Sequence, residues 1–159
     1  MAKETNGKIK TSYRYSILCI SDHYFGVEVD NVREVLLTPH YTRMPNVDKH
    51  IVGVFNLRGQ IHSLVDISGF LNLPPKEIKE TDFVVVLQKK DMSMGVLVDK
   101  VHDVIRIETN KIEVPTRDMP LNLINYTNGF YDHKTLGRIF LLDLEVIFNS
   151  RELSRYSYQ

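Results

Sequence analysis

The feature that most constrains this chain is an internal repeat. Gly26-Val27-Glu28-Val29-Asp30-Asn31-Val32-Arg33-Glu34-Val35 aligns without a gap on Gly95-Val96-Leu97-Val98-Asp99-Lys100-Val101-His102-Asp103-Val104, identical at six of the ten positions. A run rich in β-branched residues precedes each copy, Tyr15 to Ile20 in one and Phe83 to Leu87 in the other. Each copy is followed by a glycine with apolar neighbours (Gly53-Val54-Phe55, then Gly129-Phe130) and by a run ending in aspartate (Leu64-Val65-Asp66-Ile67, then Leu141-Leu142-Asp143-Leu144). Four elements in one order, at offsets of 68 to 77 residues, define two related halves, about 13–73 and 82–148, joined across Pro74 to Thr81. A half of roughly 60 residues buries too little of its own surface to stand alone, so the two must share a hydrophobic core.

The apolar residues fall in short runs bounded by turn residues: Tyr15 to Ile20, Phe25 to Val29, Ile51 to Leu57, Ile61 to Val65, Phe83 to Leu87, Met94 to Val98, Val104 to Ile107 and Arg138 to Leu142. These lengths and compositions predict strands. Helical signals are fewer. Asp30 or Asn31 can cap a turn carrying Val32, Val35 and Leu36 at helical spacing, and Asp66 can cap Ile67 to Leu73, stopped by Pro74 and Pro75. A third helix is predicted from Asp143 through Leu144, Ile147 and Phe148 towards Leu153, with Arg151 and Arg155 near its end, where positive charge suits the dipole. Residues 1–12 read as a mobile tail, and 151–159 as the end of the last helix with a short tail. The expected fold is mainly β, two small barrels with short helices. Whether the barrels exchange strands is left open.

Composition narrows the function. With 159 residues, 43% hydrophobic and 25% charged, the chain can bury a core. Twenty Lys plus Arg balance twenty Asp plus Glu, which argues against a general nucleic-acid binder, since that requires a basic surplus to displace counterions. One cysteine, Cys19, allows no internal disulfide, and no secretory signal or apolar run approaching the roughly 20 residues of a membrane span is present, so a cytoplasmic protein is expected.

Neither a cofactor nor a metal site is expected. No two glycines are spaced as in a phosphate-cradling loop, and no two histidines fall at i and i+4. Cys19 lies in an alternating segment, where a thiol serves as a small buried hydrophobe. One aspartate per half, Asp66 and Asp143, offers an alternative function: an aspartic hydrolase whose carboxylates share a proton across the two barrels. The context, Asp-Ile-Ser-Gly and Asp-Leu-Glu, departs from the Asp-Thr-Gly of that family, and each Asp precedes an apolar helical pattern, which favours N-caps. Asp30 and Asp99 read as turn or cap residues.

The segment Ile51-Val52-Gly53-Val54-Phe55-Asn56-Leu57-Arg58-Gly59-Gln60-Ile61-His62-Ser63-Leu64-Val65-Asp66-Ile67 resembles the Gly-Val-x-Asn-Leu-Arg-Gly core and following Val-Asp-Leu of the CheW-like chemotaxis coupling proteins. Tyr24 to Val27, Val32 to Val35 and Gly95 to Val104 extend the resemblance, as does the ending Ile139 to Phe148, so that it covers nearly all of residues 13–150. It implies two SH3-like five-stranded barrels on a shared core, and an adaptor without catalytic activity or cofactor. The partners it implies are the cytoplasmic hairpin tip of a chemoreceptor (a methyl-accepting chemotaxis protein) and the regulatory domain of the CheA-type histidine kinase. Other CheW-like domains would join them in rings, at membrane-bound receptor arrays, with no insertion into the membrane and no nucleic acid.

The resemblance assigns receptor or kinase coupling to Glu34, in a helical turn of the first barrel, and to Arg58, with Val35, Asn56 and Gly59 completing the set. Arg58, held by the turn at Gly59, is expected to pair with Glu34, because a guanidinium fork suits a carboxylate. Val32 and Leu36 are expected in the core. Ser63 stands where the family often has Pro, and Phe55 is bulkier than the usual aliphatic residue, which is expected to reshape a nearby contact surface.

Overall fold

All eight runs form strands, and two further strands join them. The computed structural model describes residues 4–5, 8–9 and 11–154. Apart from a short pair near the N-terminus, its strands are β1 (Ser12–Ile20), β2 (His23–Glu28), β3 (Val32–Leu37), β4 (Ile51–Leu57), β5 (Gln60–Val65), β6 (Phe83–Lys89), β7 (Met92–Val98), β8 (Lys100–Glu108), β9 (Thr127–His133) and β10 (Gly137–Leu142). Helices are short: α1 (Leu121–Tyr126), α2 (Leu144–Phe148) and α3 (Arg151–Ser154). Half of the tail expected over residues 1–12 lies outside the described residues. Within it, Glu4–Thr5 pairs with Lys8–Ile9, and Ser12 already belongs to β1. Of the expected C-terminal end, Arg151–Ser154 is helical and the rest lies outside the described residues.

Three helical expectations are corrected. Val32, Val35 and Leu36 lie on an extended strand, β3, laddered antiparallel to β6, and only one 3-10 turn, Val29–Asn31, precedes it. Its exposure alternates, with Val32, Glu34 and Leu36 half-buried and Arg33, Val35 and Leu37 facing out, a period of two that six residues cannot distinguish from a helical turn. The helix expected over Ile67–Leu73 shrinks to a 3-10 turn, Ser68–Leu71, because Asn72 adopts a left-handed φ of 60° and ends it. The last helix breaks between α2 and α3, where the side-chain amide of Asn149 donates to Glu145 O in competition with the backbone.

The strands form two five-stranded sheets, in the orders β8-β1-β2-β10-β9 and β3-β6-β7-β5-β4. Each barrel therefore takes a hairpin from one half of the sequence and three strands from the other. The halves do exchange strands, and neither completes a barrel without the other.

The repeat reappears in the pairing. β2 runs parallel to β10 with Gly26 opposite Leu141, and β7 runs parallel to β5 with Gly95 opposite Leu64. Each barrel closes through one bridge from the segment after its edge strand, Thr42 to Val54 and Glu113 to Phe130. A glycine makes room for each bridge: a Cβ on Gly53 would lie 2.3 Å from Thr42 O, and one on Gly129 2.6 Å from Glu113 O. This close approach explains why both copies keep glycine at that position.

The core lies between the sheets. Leu18, Ile20, Phe25 and Val27 of one sheet meet Val85, Leu87, Val96 and Val98 of the other, with Leu144, Ile147 and Phe148 of α2. Alternate residues of the same strands fill the two barrel interiors, Tyr15 and Ile17 in one and Val84, Val86 and Leu97 in the other. Strands buried on both faces read as unbroken apolar runs, which is why β1, β6 and β7 are so evident in the sequence. Cys19 is buried, as expected, and burial pushes its thiol up from the ordinary value, which suits an inert packing role.

Candidate functional site

The β4–β5 hairpin turns through Arg58 and Gly59, both at positive φ, 52° and 84°. This is the two-residue geometry that matches strand twist, and glycine takes it without strain. Asn56 Oδ1 accepts the Gly59 N–H at 3.0 Å and fixes the turn. Asn56 and Gly59 are thus the frame that presents Arg58.

Arg58 Nη2 donates to Glu34 Oε1 at 3.1 Å, joining the hairpin tip to β3. The contact is through one N–H. Arg58 is 76% exposed along its side chain and Glu34 only 26%, so the carboxylate is held against the sheet while the guanidinium reaches over it into solvent. A second tie lies beside it, Arg33 Nη1 donating to Gln60 Oε1 at 3.1 Å. Val35, next to Glu34 on β3, and Ile61, next to Gln60 on β5, are exposed apolar side chains. Arg33, Gln60 and Ile61 also line a cleft of about 640 Å³ that reaches Ser93 on β7 and the buried ring of His62.

Of the five expected coupling residues, Glu34 and Arg58 are brought into contact, Asn56 and Gly59 build the turn, and Val35 follows Glu34 with an exposed side chain. Glu34 sits on a strand, not on the expected helical turn. Phe55 is buried at 3% exposure, against the ring of His62 and over Gly95, so its bulk fills the barrel interior and does not shape the surface. Val32 and Leu36 pack at the edges of the core clusters. Arg33, Gln60 and Ile61 escape sequence reasoning, because their proximity depends on the hairpin folding onto β3.

Asp66 and Asp143, expected as caps, serve locally, but Asp99, expected as a turn or cap residue, instead accepts from Ser21 N at 2.7 Å and Lys76 Nζ at 2.6 Å, because the β1–β2 hairpin and the linker fold onto it. Asp66 Oδ1 accepts from Ser68 N at 3.0 Å and from Ser68 Oγ at 2.6 Å, and Asp143 Oδ1 accepts from Val146 N at 3.2 Å. Each closes its own barrel's parallel strand, β5 or β10, and the geometry offers the hydrolase alternative no shared-proton pair. Among the described residues no group of three His, Cys, Asp or Glu side chains is placed to hold a metal, and no helix is long and apolar enough to cross a membrane.

A CheW-like domain model matches residues 14–152. The chain belongs to the CheW-like domain family. Similar relatives include the Chemotaxis protein CheW of Bacillus subtilis (strain 168), 30% identical over 106 residues that span 67% of this chain and 68% of that protein. The Chemotaxis protein CheW of Rhizobium meliloti (strain 1021) is 31% identical over 135 residues, 84% of this chain and 85% of that protein. The crystal structure of scaffolding protein TtCheW from Thermoanaerobacter tengcongensis matches with a TM-score of 0.79 at 20% identity, covering 92% of this chain and 99% of that one. The two-barrel architecture is therefore the CheW-like fold, and the SH3-like description of each barrel fits it.

Proposed function

We propose that this CheW-like chain is a non-enzymatic chemotaxis adaptor, over residues 13–150, that joins the cytoplasmic hairpin tips of chemoreceptors to the regulatory domain of a CheA-type histidine kinase. The single observation that supports the reading best is the Arg58–Glu34 contact at 3.1 Å, on a turn built by Asn56 and Gly59 and next to exposed Val35. An exposed guanidinium bonded through one N–H keeps donors for a partner, and apolar side chains rimmed by charge form the kind of surface that protein partners cover. Receptor tips dock there. The kinase and neighbouring CheW-like domains use other faces, so that adaptors and kinase domains alternate in rings at receptor arrays. Modest affinities at separate faces suffice, because assembly makes later contacts intramolecular.

Co-sedimentation with a receptor cytoplasmic fragment and the kinase tests this. Wild-type protein brings both down together, and Arg58→Ala and Glu34→Ala lose the receptor. Failure of the wild type to bind either partner sinks the adaptor, whereas normal receptor binding by both variants moves the receptor site elsewhere.

A further inference from the structure

The linker between the two halves carries a lysine whose side chain is 3% exposed, Lys76. Its Nζ lies 2.6 Å from Asp99 Oδ1 and 2.8 Å from Asp82 Oδ2, and it donates to Glu77 O at 3.1 Å. Its backbone N–H donates to Asp66 Oδ2 at 2.9 Å. An ammonium has three protons, and here all three have acceptors. A buried charge so fully matched is stable where it is, while removing it would leave Asp82, which is 4% exposed along its side chain, and the partly exposed Asp99 with only backbone donors, from Lys79 N at 2.6 Å and Ser21 N at 2.7 Å.

The partners connect the linker to both sheets. Asp99 also accepts the N–H of Ser21, in the β1–β2 hairpin of the first sheet, at 2.7 Å. Asp82 opens β6 of the second sheet, and its backbone carbonyl accepts both the N–H of Thr38, at 3.1 Å, and the Thr38 hydroxyl, at 2.9 Å. Thr38 follows directly on β3, the strand that carries Glu34 and Val35. The arrangement is also the place where the repeat is broken. Asp30, the counterpart of Asp99, is exposed, and Asp143, the counterpart of Asp66, caps α2. A feature confined to the linker serves the linker and not the barrel.

We propose that Lys76 is a positioning residue: its ammonium clamps the linker to both sheets and, through Asp82 and Thr38, holds the end of β3 so that Glu34 and Val35 are presented to the receptor. The inference rests on the adaptor reading for its receptor part and on geometry alone for the clamp.

Amide hydrogen exchange followed by NMR, together with co-sedimentation with the receptor fragment, tests it on full-length protein. In Lys76→Met, exchange at Ser21, Thr38 and position 76 is expected to quicken at least tenfold, while Val86 and Leu97 in the β6–β7 ladder stay within twofold. Receptor binding falls several-fold. Unchanged exchange at Ser21 and Thr38, or faster exchange with undiminished receptor binding, overturns the proposal. Should Lys76→Met not fold, Lys76→Met/Asp82→Asn removes the buried carboxylate that has lost its ammonium, and wild-type protection at Thr38 and position 76 in that variant equally overturns it. If the wild type itself does not bind the receptor fragment, the adaptor reading fails, and the exchange rates still decide the clamp.

Discussion

Asn56 Oδ1 accepts the Gly59 N–H at 3.0 Å, and this bond closes the turn that carries Arg58 at a φ of 52°. Presentation and contact are therefore separable. Arg58→Gly suits the left-handed backbone, so stability should stay within about 1 kcal/mol of wild type while receptor binding falls. Asn56→Ala leaves the Arg58 side chain in place but removes its frame, and should cost about 1 kcal/mol in urea unfolding together with part of the binding. Equal binding by Arg58→Gly and wild type would remove the guanidinium from the interface.

The glycine of the hairpin turn and those of the barrel closure should respond unequally to alanine. Gly59 has open space where a Cβ would go, so only its backbone conformation opposes the change, and Gly59→Ala should cost about 1–2 kcal/mol. Gly53 and Gly129 face backbone carbonyls at 2.3 and 2.6 Å, which cannot rotate away as a side chain could. Gly53→Ala and Gly129→Ala should each cost about 3 kcal/mol or more and open the bridge that closes the barrel. Chemical denaturation of the three variants checks the order, and a smaller loss at Gly53 than at Gly59 would contradict the barrel closure.

What could be read from the sequence follows from burial. β1, β6 and β7 are buried on both faces and announce themselves as apolar runs, and the repeat lays out both copies of the fold. β3 is hidden because Val32, Val35 and Leu36 fit either period over one short segment. β9 is hidden because Asn128, Gly129 and Asp132 interrupt it, and its place is set by β10 and Glu113. The Glu34–Arg58 contact, 24 residues apart in the chain, was legible only through the family resemblance. Lys76 was not legible at all: nothing beside it in sequence distinguishes it from exposed Lys79, since its carboxylate acceptors, Asp66, Asp82 and Asp99, come from the ends of three different strands.

Stability should fall on mild acidification, through His62. The ring is 3% exposed, its Nδ1 meets Ser93 Oγ at 3.1 Å, and its Nε2 is buried without a hydrogen bond among the described residues. Burial, and then the positive charge of Arg33, hold its pKa below the ordinary 6.5. With the folded value depressed, the unfolded chain takes up the proton first, so the contribution is complete above pH 6.5 and is lost as pH falls from there towards the folded value. Urea midpoints at pH 7.5 and 5.5 should differ more for wild type than for His62→Gln. Asp99 acts in a separate window: burial would raise its carboxyl, but the hydrogen bonds from Lys76 and Ser21 outweigh that and hold it below 3.8, so its contribution disappears only under stronger acid.

Strand exchange dictates how the molecule unfolds. Each barrel lacks strands if either half of the sequence is removed, and Leu18 and Val85 meet in a core that belongs to both. The two barrels should therefore melt together, in one calorimetric transition whose van't Hoff and calorimetric enthalpies agree. Leu18→Ala, at a fully buried site in the shared core, should cost about 2–5 kcal/mol and lower that single transition without splitting it. Ile17→Ala, one residue away but facing the interior of the first barrel, should behave alike, since that barrel cannot unfold without withdrawing β8, β9 and β10 from the half that also supplies β6 and β7. Two resolved transitions in either variant would mean that the barrels are independent units and that the shared core contributes little to their cooperation.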